Sequence, residues 1–147
     1  MATVTVGQFS VSQCDVKVKT SSSADTYSSI ADLEEVSLTL ESNTETWYSI
    51  ADGGWQNALL TGKALSGSFS GKRCLGDTGN DYIEGLRYAI GKEAEADFQI
   101  NFPDGSKLEF TAVVALTDIL GAATDVVPLS GDLTGKGKPT FTPASAG

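Results

Sequence analysis

The stretch from Ala96 to Leu116 reads ADFQINFPDGSKLEFTAVVAL, and it decides the fold class. Apolar and polar residues alternate on both sides of a Pro-Asp-Gly sequence, which is the pattern of strands that bury one face. Pro103 presets its own backbone angle, and Asp104 and Gly105 tolerate the positive φ that tight turns need. The stretch therefore predicts two antiparallel strands joined by a tight turn.

The same alternation recurs along the chain and predicts a mainly β protein. It is found in three shorter pieces, Cys14 to Lys19, Val36 to Glu41 and Leu65 to Ser70. Gly67 weakens the third piece and indicates a bulge or a close approach of another backbone. A further strand is predicted near Val126 to Leu133, and a short edge segment at Thr140 to Thr142.

One segment has the spacing of a helix. Apolar residues from Tyr82 to Ile90 recur as they would on one helix face, so we predict a helix at about residues 79–90. Gly91 stands where a C-terminal cap belongs. Either Thr78 or Asn80 is expected to cap the beginning with a side-chain oxygen.

The segment from Asn43 to Gly62 is predicted to be a long polar loop. Within it, Trp55 to Leu60 is flanked by glycines and is predicted to form a helix of one or two turns. The aromatic side chains of Trp47, Tyr48 and Trp55 are costly to leave exposed. They either pack under the loop or anchor a neighbouring subunit.

The stretch LGDTGNDYIEG, from Leu75 to Gly85, matches the calcium-binding nonapeptide G-G-x-G-x-D-x-U-x, except that Asp77 stands at the second glycine. That motif works through stacked repeats, and this chain has one copy. We therefore interpret the stretch as a glycine-rich entry to the helix, with its acids near the positive end of the helix dipole. Lys72 likewise lacks the preceding glycine and the following Ser or Thr of a phosphate loop.

Composition favours one globular, non-enzymatic domain without metal or cofactor. The chain has 147 residues, of which 40% are hydrophobic, and it has no histidine. Neighbouring carboxylates such as Glu34 and Glu35 point to opposite faces of a strand, so they cannot flank one bond. Cys14 and Cys74 are expected to be free thiols. The start lacks a signal-peptide pattern and no apolar run would cross a membrane, so we expect synthesis in a cytoplasm.

The net charge of −9 is concentrated in one third of the chain. Between Lys19 and Lys63 there is no Lys or Arg. The carboxylates in this interval are Asp25, Asp32, Glu34, Glu35, Glu41, Glu45 and Asp52. Such a segment repels nucleic-acid phosphates, so DNA binding is disfavoured. The alternative interpretation is a solvated acidic face that aids solubility.

The order of these pieces resembles the major tail (tail tube) proteins of long-tailed bacteriophages and prophages of Gram-positive bacteria. The resemblance is carried in colinear order by Lys17 to Glu41, Glu45 to Arg73, Gly76 to Leu86, Phe102 to Phe110 and Gly137 to Pro143. SGKR followed by GDTGNDYIEGL and then FPDG is the most specific combination, although Cys74 stands where a polar residue is usual. The motif residues at the turn and the helix entry are Gly71, Lys72, Arg73, Gly76, Asp77, Gly79, Asn80, Asp81, Pro103, Asp104 and Gly105.

The resemblance implies an antiparallel β-sandwich or distorted barrel with one flanking helix over residues 1–142, followed by a flexible tail at 143–147. It implies hexameric rings stacked into a tube in the virion tail, assembled in the host cytoplasm. Its implied partners are other copies of the chain and tape-measure, tail-tip and terminator proteins, while DNA passes without specific binding. Candidates to face the lumen are Glu34, Glu35, Glu41 and Glu45. Candidates for contacts between subunits or rings are Trp47, Tyr48, Trp55 and Phe141.

Two other functions share these features. An immunoglobulin-like carbohydrate- or surface-binding module would have the same alternating strands and exposed aromatic residues. The inner-tube protein of a contractile tail or of a phage-derived bacteriocin would have the same fold as the tail tube protein. The sequence leaves both open.

Overall fold

A computed structural model describes residues 7–20 and 26–144. Its strands are β1 (Asp15–Lys19), β2 (Tyr27–Ser29), β3 (Leu33–Tyr48), β4 (Gln56–Gly71), β5 (Glu95–Asn101), β6 (Lys107–Leu116) and β7 (Gly131–Thr142). One α-helix, α1 (Thr78–Glu84), lies between β4 and β5 in the chain, and short 3-10 turns cover Val11–Gln13, Ile50–Asp52 and Gly91–Ala94. The predicted mainly β fold with one flanking helix is confirmed.

All seven strands belong to one antiparallel sheet in the order β2-β1-β5-β6-β7-β4-β3. The sheet is an open, distorted barrel, because β2 and β3 remain as edges while the sheet curves over one core. Val16 of β1 and Val36 of β3 are far apart in strand order, yet both line the same apolar space as Phe98 and Phe110. The cavity left there is about 10 Å³, so side chains fill the core.

The hairpin predicted around Pro-Asp-Gly is confirmed. β5 and β6 pair from Glu95↔Val113 to Asn101↔Lys107, and the rings of Phe98 and Phe110 stack with centroids 5.4 Å apart. The turn is closed by Ser106, whose backbone N–H and hydroxyl donate to Asp104 Oδ1 at 2.8 and 2.5 Å. These hydrogen bonds lower the pKa of Asp104, because they stabilise the ionised carboxylate.

Helix α1 is shorter than predicted and has a different cap. Asp77 is the N-cap, and its Oδ2 accepts hydrogen bonds from the backbone N–H of Asn80 at 3.0 Å and of Ala31 at 3.1 Å. The helix ends at Glu84, and the chain continues in turns. The predicted apolar face fails at its last residue, since Ile90 is 87% exposed. Beyond the point where the core ends, nothing favours another helical turn.

Asn80 ties the helix entry to two other segments. Its side chain is fully buried, with Oδ1 accepting from Arg73 Nη1 at 2.8 Å and from the Cys74 backbone N–H at 3.0 Å. Its Nδ2 donates to the carbonyls of Ala31 and Lys72, both at 3.0 Å. One amide side chain therefore satisfies four groups from the β2–β3 connection and the segment after β4, and we call this network the Asn80 hub.

Gly79 explains why the glycine-rich stretch enters the helix at this place. A Cβ there would lie 2.4 Å from the carbonyl oxygen of Ser29, at the end of β2. Only glycine allows the helix to approach that strand so closely. Gly79 thus has a structural role at the start of α1.

The predicted loop at Asn43 to Gly62 and the predicted helix at Trp55 to Leu60 are both wrong. β3 and β4 form one long hairpin that pairs out to Tyr48↔Gln56. The chain reverses through the 3-10 turn Ile50–Asp52 and two glycines, Gly53 and Gly54, with φ of 69° and 86°. The glycines that favoured a short helix in the sequence instead make the turn of a hairpin.

β7 begins later than predicted and absorbs the predicted edge segment. The strand expected near Val126 starts at Gly131, because residues 117–130 form a loop, and it continues through Thr140 to Thr142.

Cys14 and Cys74 are free thiols, as predicted, and partial burial raises the pKa of both. Asp25 and residues 145–147 of the predicted tail lie outside the described residues.

Replacing Asn80 by alanine is expected to lower the free energy of unfolding by about 2–4 kcal/mol, because buried donors and carbonyls lose their partners. Urea denaturation followed by circular dichroism measures the change. The matched control is Thr78→Ala, an exposed position in the same helix, which should change stability far less. An N80A loss no larger than that of T78A would contradict the role assigned to the hub.

Candidate assembly surfaces

The outer part of the β3–β4 hairpin projects beyond the rest of the sheet. β4 pairs with β7 only from Ser66↔Thr134 to Phe69↔Gly131, whereas β3 and β4 stay paired to Tyr48↔Gln56. We call the part from Leu40 to Leu65 the projecting hairpin. β4 has 16 residues, so at about 3.3 Å per residue it spans on the order of 50 Å. Over most of that length β3 is its only paired neighbour among the described strands.

The outer edge of β3 is unpaired. β3 has 16 residues and is the last strand in the sheet order, so β4 is its only partner among the described strands. The backbone N–H and C=O groups on its outer side are therefore available for pairing with another strand. Long free edges are rare in monomeric proteins because they template association.

The two faces of the whole β3–β4 hairpin differ in chemistry. On one face, Glu35, Glu41 and Glu45 of β3 alternate with residues that point to the core side. This polar face also contains Ser37 and Thr39, which pair with Ser68 and Ser66. Three of the four acids predicted to face a lumen thus share one face of one strand.

Glu34 differs from the other three acids. It is the extra residue at a register shift between Leu33 and Glu35. Its carboxylate accepts a hydrogen bond from Lys72 Nζ at 2.9 Å, in an exposed ion pair. Glu34 is therefore neutralised within its own chain, while Glu35, Glu41 and Glu45 have no ion pair within the part of the chain that the structure describes.

The opposite face of the projecting hairpin continues the core side of the sheet. Leu40 pairs with Leu65 there, and Thr44 pairs with Leu60. Leu40 and Leu60 are both about half exposed, because no other part of the described chain covers them. We call this the core-side face. Its charged residue is Lys63, and all the glutamates of the hairpin lie elsewhere.

The tip of the hairpin is aromatic and exposed. Trp55 is 79% exposed and Trp47 is 47% exposed, and Tyr48 and Ile50 are open to solvent beside them. Within the residues that the structure describes, these side chains therefore do not pack under a loop, which was one of the two possibilities raised by the sequence. Phe141 is also exposed, near the end of β7. Their predicted role as contacts between subunits remains a prediction.

Sequence reasoning missed several exposed apolar residues. Ile50, Leu59 and Leu60 lie on the hairpin, and Ile119, Leu120 and Val126 lie in the loop 117–130. The hairpin residues were missed because their segment was wrongly predicted to be a loop with a short helix. The apolar residues of the loop do not recur with a period of two or 3.6. This lack of periodicity is the signal in the sequence that they do not form the buried face of a strand or helix.

The described residues contain no group of three or more His, Cys, Asp or Glu that could hold a metal ion. Within them, no helix is both long and apolar enough to span a bilayer. The acids of the motif are engaged locally, since Asp77 caps α1 and Asp81 pairs with Arg73 Nη1 at 2.7 Å.

Solved structures with the same fold come from assembled particles. A chain in the tail of an empty gene transfer agent (GTA) particle, solved by helical refinement with C6 symmetry, has a TM-score of 0.74 and 17% identity, covering 92% of this chain and 100% of that one. A chain in the virion of a native GTA particle has a TM-score of 0.71 and 18% identity, with coverage of 92% and 100%. A chain in the 6-fold symmetrised cryo-EM structure of the anti-feeding prophage (AFP) baseplate has a TM-score of 0.54 and 13% identity, covering 96% and 97%.

At these identities the likeness is one of fold. No protein-family model matches the chain, and no curated protein matches it.

The two tryptophans of the chain, Trp47 and Trp55, both lie on the projecting hairpin, so selectively excited tryptophan fluorescence reports on this element alone. In dilute protein, Trp55→Phe should remove the emission that acrylamide quenches more strongly, because Trp55 is the more exposed of the two. Trp47→Phe is the matched control and should leave the strongly quenched emission. Equal quenching in both variants would contradict the described tip.

Proposed function

We propose that the chain is a structural subunit of a phage-type tail tube, which self-assembles into stacked hexameric rings that conduct DNA. The observation that carries this proposal is the free edge of β3 on a hairpin that projects from the domain. An unpaired edge of 16 residues, flanked by exposed apolar side chains, is a surface suited to another copy of the same chain. A ring in which each edge meets a neighbour removes the exposed edges.

The comparisons support this proposal through the particles in which similar chains are found. Two of those chains belong to the tail or virion of GTA particles, and the tail was solved with C6 symmetry. The third belongs to a baseplate with 6-fold symmetry. The shared fold covers 92% of this chain in both GTA matches.

The polar face of the hairpin suits the wall of a bore. Glu35, Glu41 and Glu45 lie on it without a cation in the described chain to neutralise them, and the residues between them are Ser, Thr and Asn. Duplex DNA carries a charge about every 1.7 Å along its axis, so a basic wall would hold it by releasing counterions. An acidic wall lets DNA pass without binding.

A chain in which a two-residue Asn-Gly turn replaces residues 44–61 is expected to fold but not to assemble. None of the removed residues belongs to the core or packs against it, so thermal unfolding should stay cooperative. The full chain, concentrated under the same conditions, should form hollow six-fold cylinders in negative-stain electron micrographs. A full chain that stays monomeric, or a shortened chain that still forms cylinders, would sink the proposal.

Tubes of the Glu41→Lys, Glu45→Lys variant are expected to trap DNA. When assembled with short duplex DNA and then treated with nuclease, they should protect about tenfold more DNA than wild-type tubes, and high salt should reduce the protection. Electron microscopy checks that the tubes are intact.

The matched control is Glu93→Lys, which reverses an exposed charge in the 3-10 turn Gly91–Ala94, away from the polar face. Tubes of this variant should protect no more DNA than wild type. Equal protection by both variants would show that Glu41 and Glu45 do not line the bore.

A further inference from the structure

A cleft between the projecting hairpin and β7 combines apolar walls with two lysines. Its volume is about 400 Å³, and it is lined by Leu40, Lys63, Leu65, Gly137, Lys138 and Pro139. It opens because β4 stops pairing with β7 at Ser66↔Thr134, while β7 is displaced at a register shift opposite Phe110. Lys63 and Lys138 form no ion pair with any residue that the structure describes.

The loop 117–130 has the complementary chemistry. Its residues Ile119, Leu120 and Val126 are exposed, Leu120 by 75%. Its charged residues are Asp118 and Asp125, and it contains no Lys or Arg. An apolar loop with two negative charges therefore matches an apolar cleft with two positive charges.

The loop is held in place by hydrogen bonds. The Asp118 carbonyl accepts from Arg87 Nη1 at 2.7 Å, and its carboxylate accepts from Ser130 Oγ at 2.7 Å. At the other end, the Val127 carbonyl accepts from the Arg73 backbone N–H at 2.8 Å. The exposed aliphatic side chains are thus presented by an ordered loop, so little conformational entropy is lost when a partner covers them.

The loop cannot fill the cleft of its own chain. Residues 131–137 of β7 separate the two, and at about 3.3 Å per residue they span about 20 Å in extended conformation. The loop lies before the first residue of β7, while the cleft lies further along the strand, towards the hairpin tip. Contact between these surfaces requires two copies.

We infer that the loop 117–130 of one copy occupies the cleft between hairpin and β7 of the next. The inference rests on the proposed function, since it names the surfaces through which subunits of the tube meet. The contact is head to tail, because the two surfaces differ, and such contacts propagate from copy to copy. It covers the core-side face and leaves the polar face free.

Charge reversal tests the contact. The cleft variant Lys63→Glu, Lys138→Glu changes two cations into acids. The loop variant Ala123→Lys, Thr124→Lys, Asp125→Asn changes the loop charge from negative to positive, and the new amide oxygen can still accept the Ala122 N–H. Alone, each variant places like charges in contact, so assembly should need an about tenfold higher concentration than wild type, as measured by sedimentation velocity.

Mixing the two variants should restore assembly, because the basic loop meets the acidic cleft and the acidic loop meets the basic cleft. The matched control is Lys92→Glu, Lys107→Glu, which changes the net charge as the cleft variant does at sites outside the cleft. It should assemble like wild type.

The outcomes separate the two proposals. If wild type forms tubes and each variant does so equally well alone, or if the mixture fails as both variants do alone, the loop-in-cleft contact is wrong and the tube proposal stands. If wild type stays monomeric at every concentration, both proposals are overturned. Circular dichroism of each variant establishes that it is folded.

Discussion

The backbone on the outer side of β3 has no partner strand among the residues that the structure describes, and the other assembly features depend on that constraint. The opposite edge, β2, has only 3 residues, and helix α1 packs beside it. β3 has 16 residues, no proline, and exposed apolar side chains such as Leu40. Proteins usually blunt such an edge with prolines, bulges or charges. Here the charges lie on one face only, so association is limited to arrangements that leave that face uncovered.

A projecting hairpin needs a rigid base, and the base is built from the core and the Asn80 hub. Phe69 anchors the root of β4 in the same apolar space as Phe98 and Phe110. Just after β4, Asn80 and Asp77 hold the chain against the β2–β3 connection. Asn80 donates to the carbonyls of Ala31 and Lys72, and Asp77 accepts from the backbone N–H of Ala31. The ends of β3 and β4 that lie furthest from the hairpin tip are therefore fixed in the body of the domain. A loosely held root would add an entropy cost to every contact that the hairpin makes.

The sequence predicted the body of the fold well and its projecting part poorly. The strands β5 and β6 bury one face each, so period two and the Pro-Asp-Gly turn specified them. Gln56 to Leu60, within the segment predicted to be a helix, form a strand because their conformation is set by pairing with β3, a non-local interaction that local propensity does not encode. The acids of the polar face could be listed from the sequence. The ion pair between Glu34 and Lys72, which distinguishes Glu34 from Glu35, depends on a bulge that the sequence pattern does not predict. The cleft was not predictable, because it exists where β4 and β7 stop pairing.

A second bulge decides which face of the hairpin each side chain occupies. Asn43 pairs with Gly62 and Thr44 pairs with Leu60, so Thr61 is the extra residue. Asn43 holds it, donating to Thr61 Oγ1 at 2.7 Å and accepting from that hydroxyl through its carbonyl at 3.1 Å. Because side chains alternate with a period of two, a regular ladder in which Thr61 paired with Thr44 would move residues 56–60 to the opposite faces. Leu60 would then lie on the polar face and Asn57 on the core-side face. The bulge thus decides that Leu59, and not Leu60, lies beside Glu45 on the polar face.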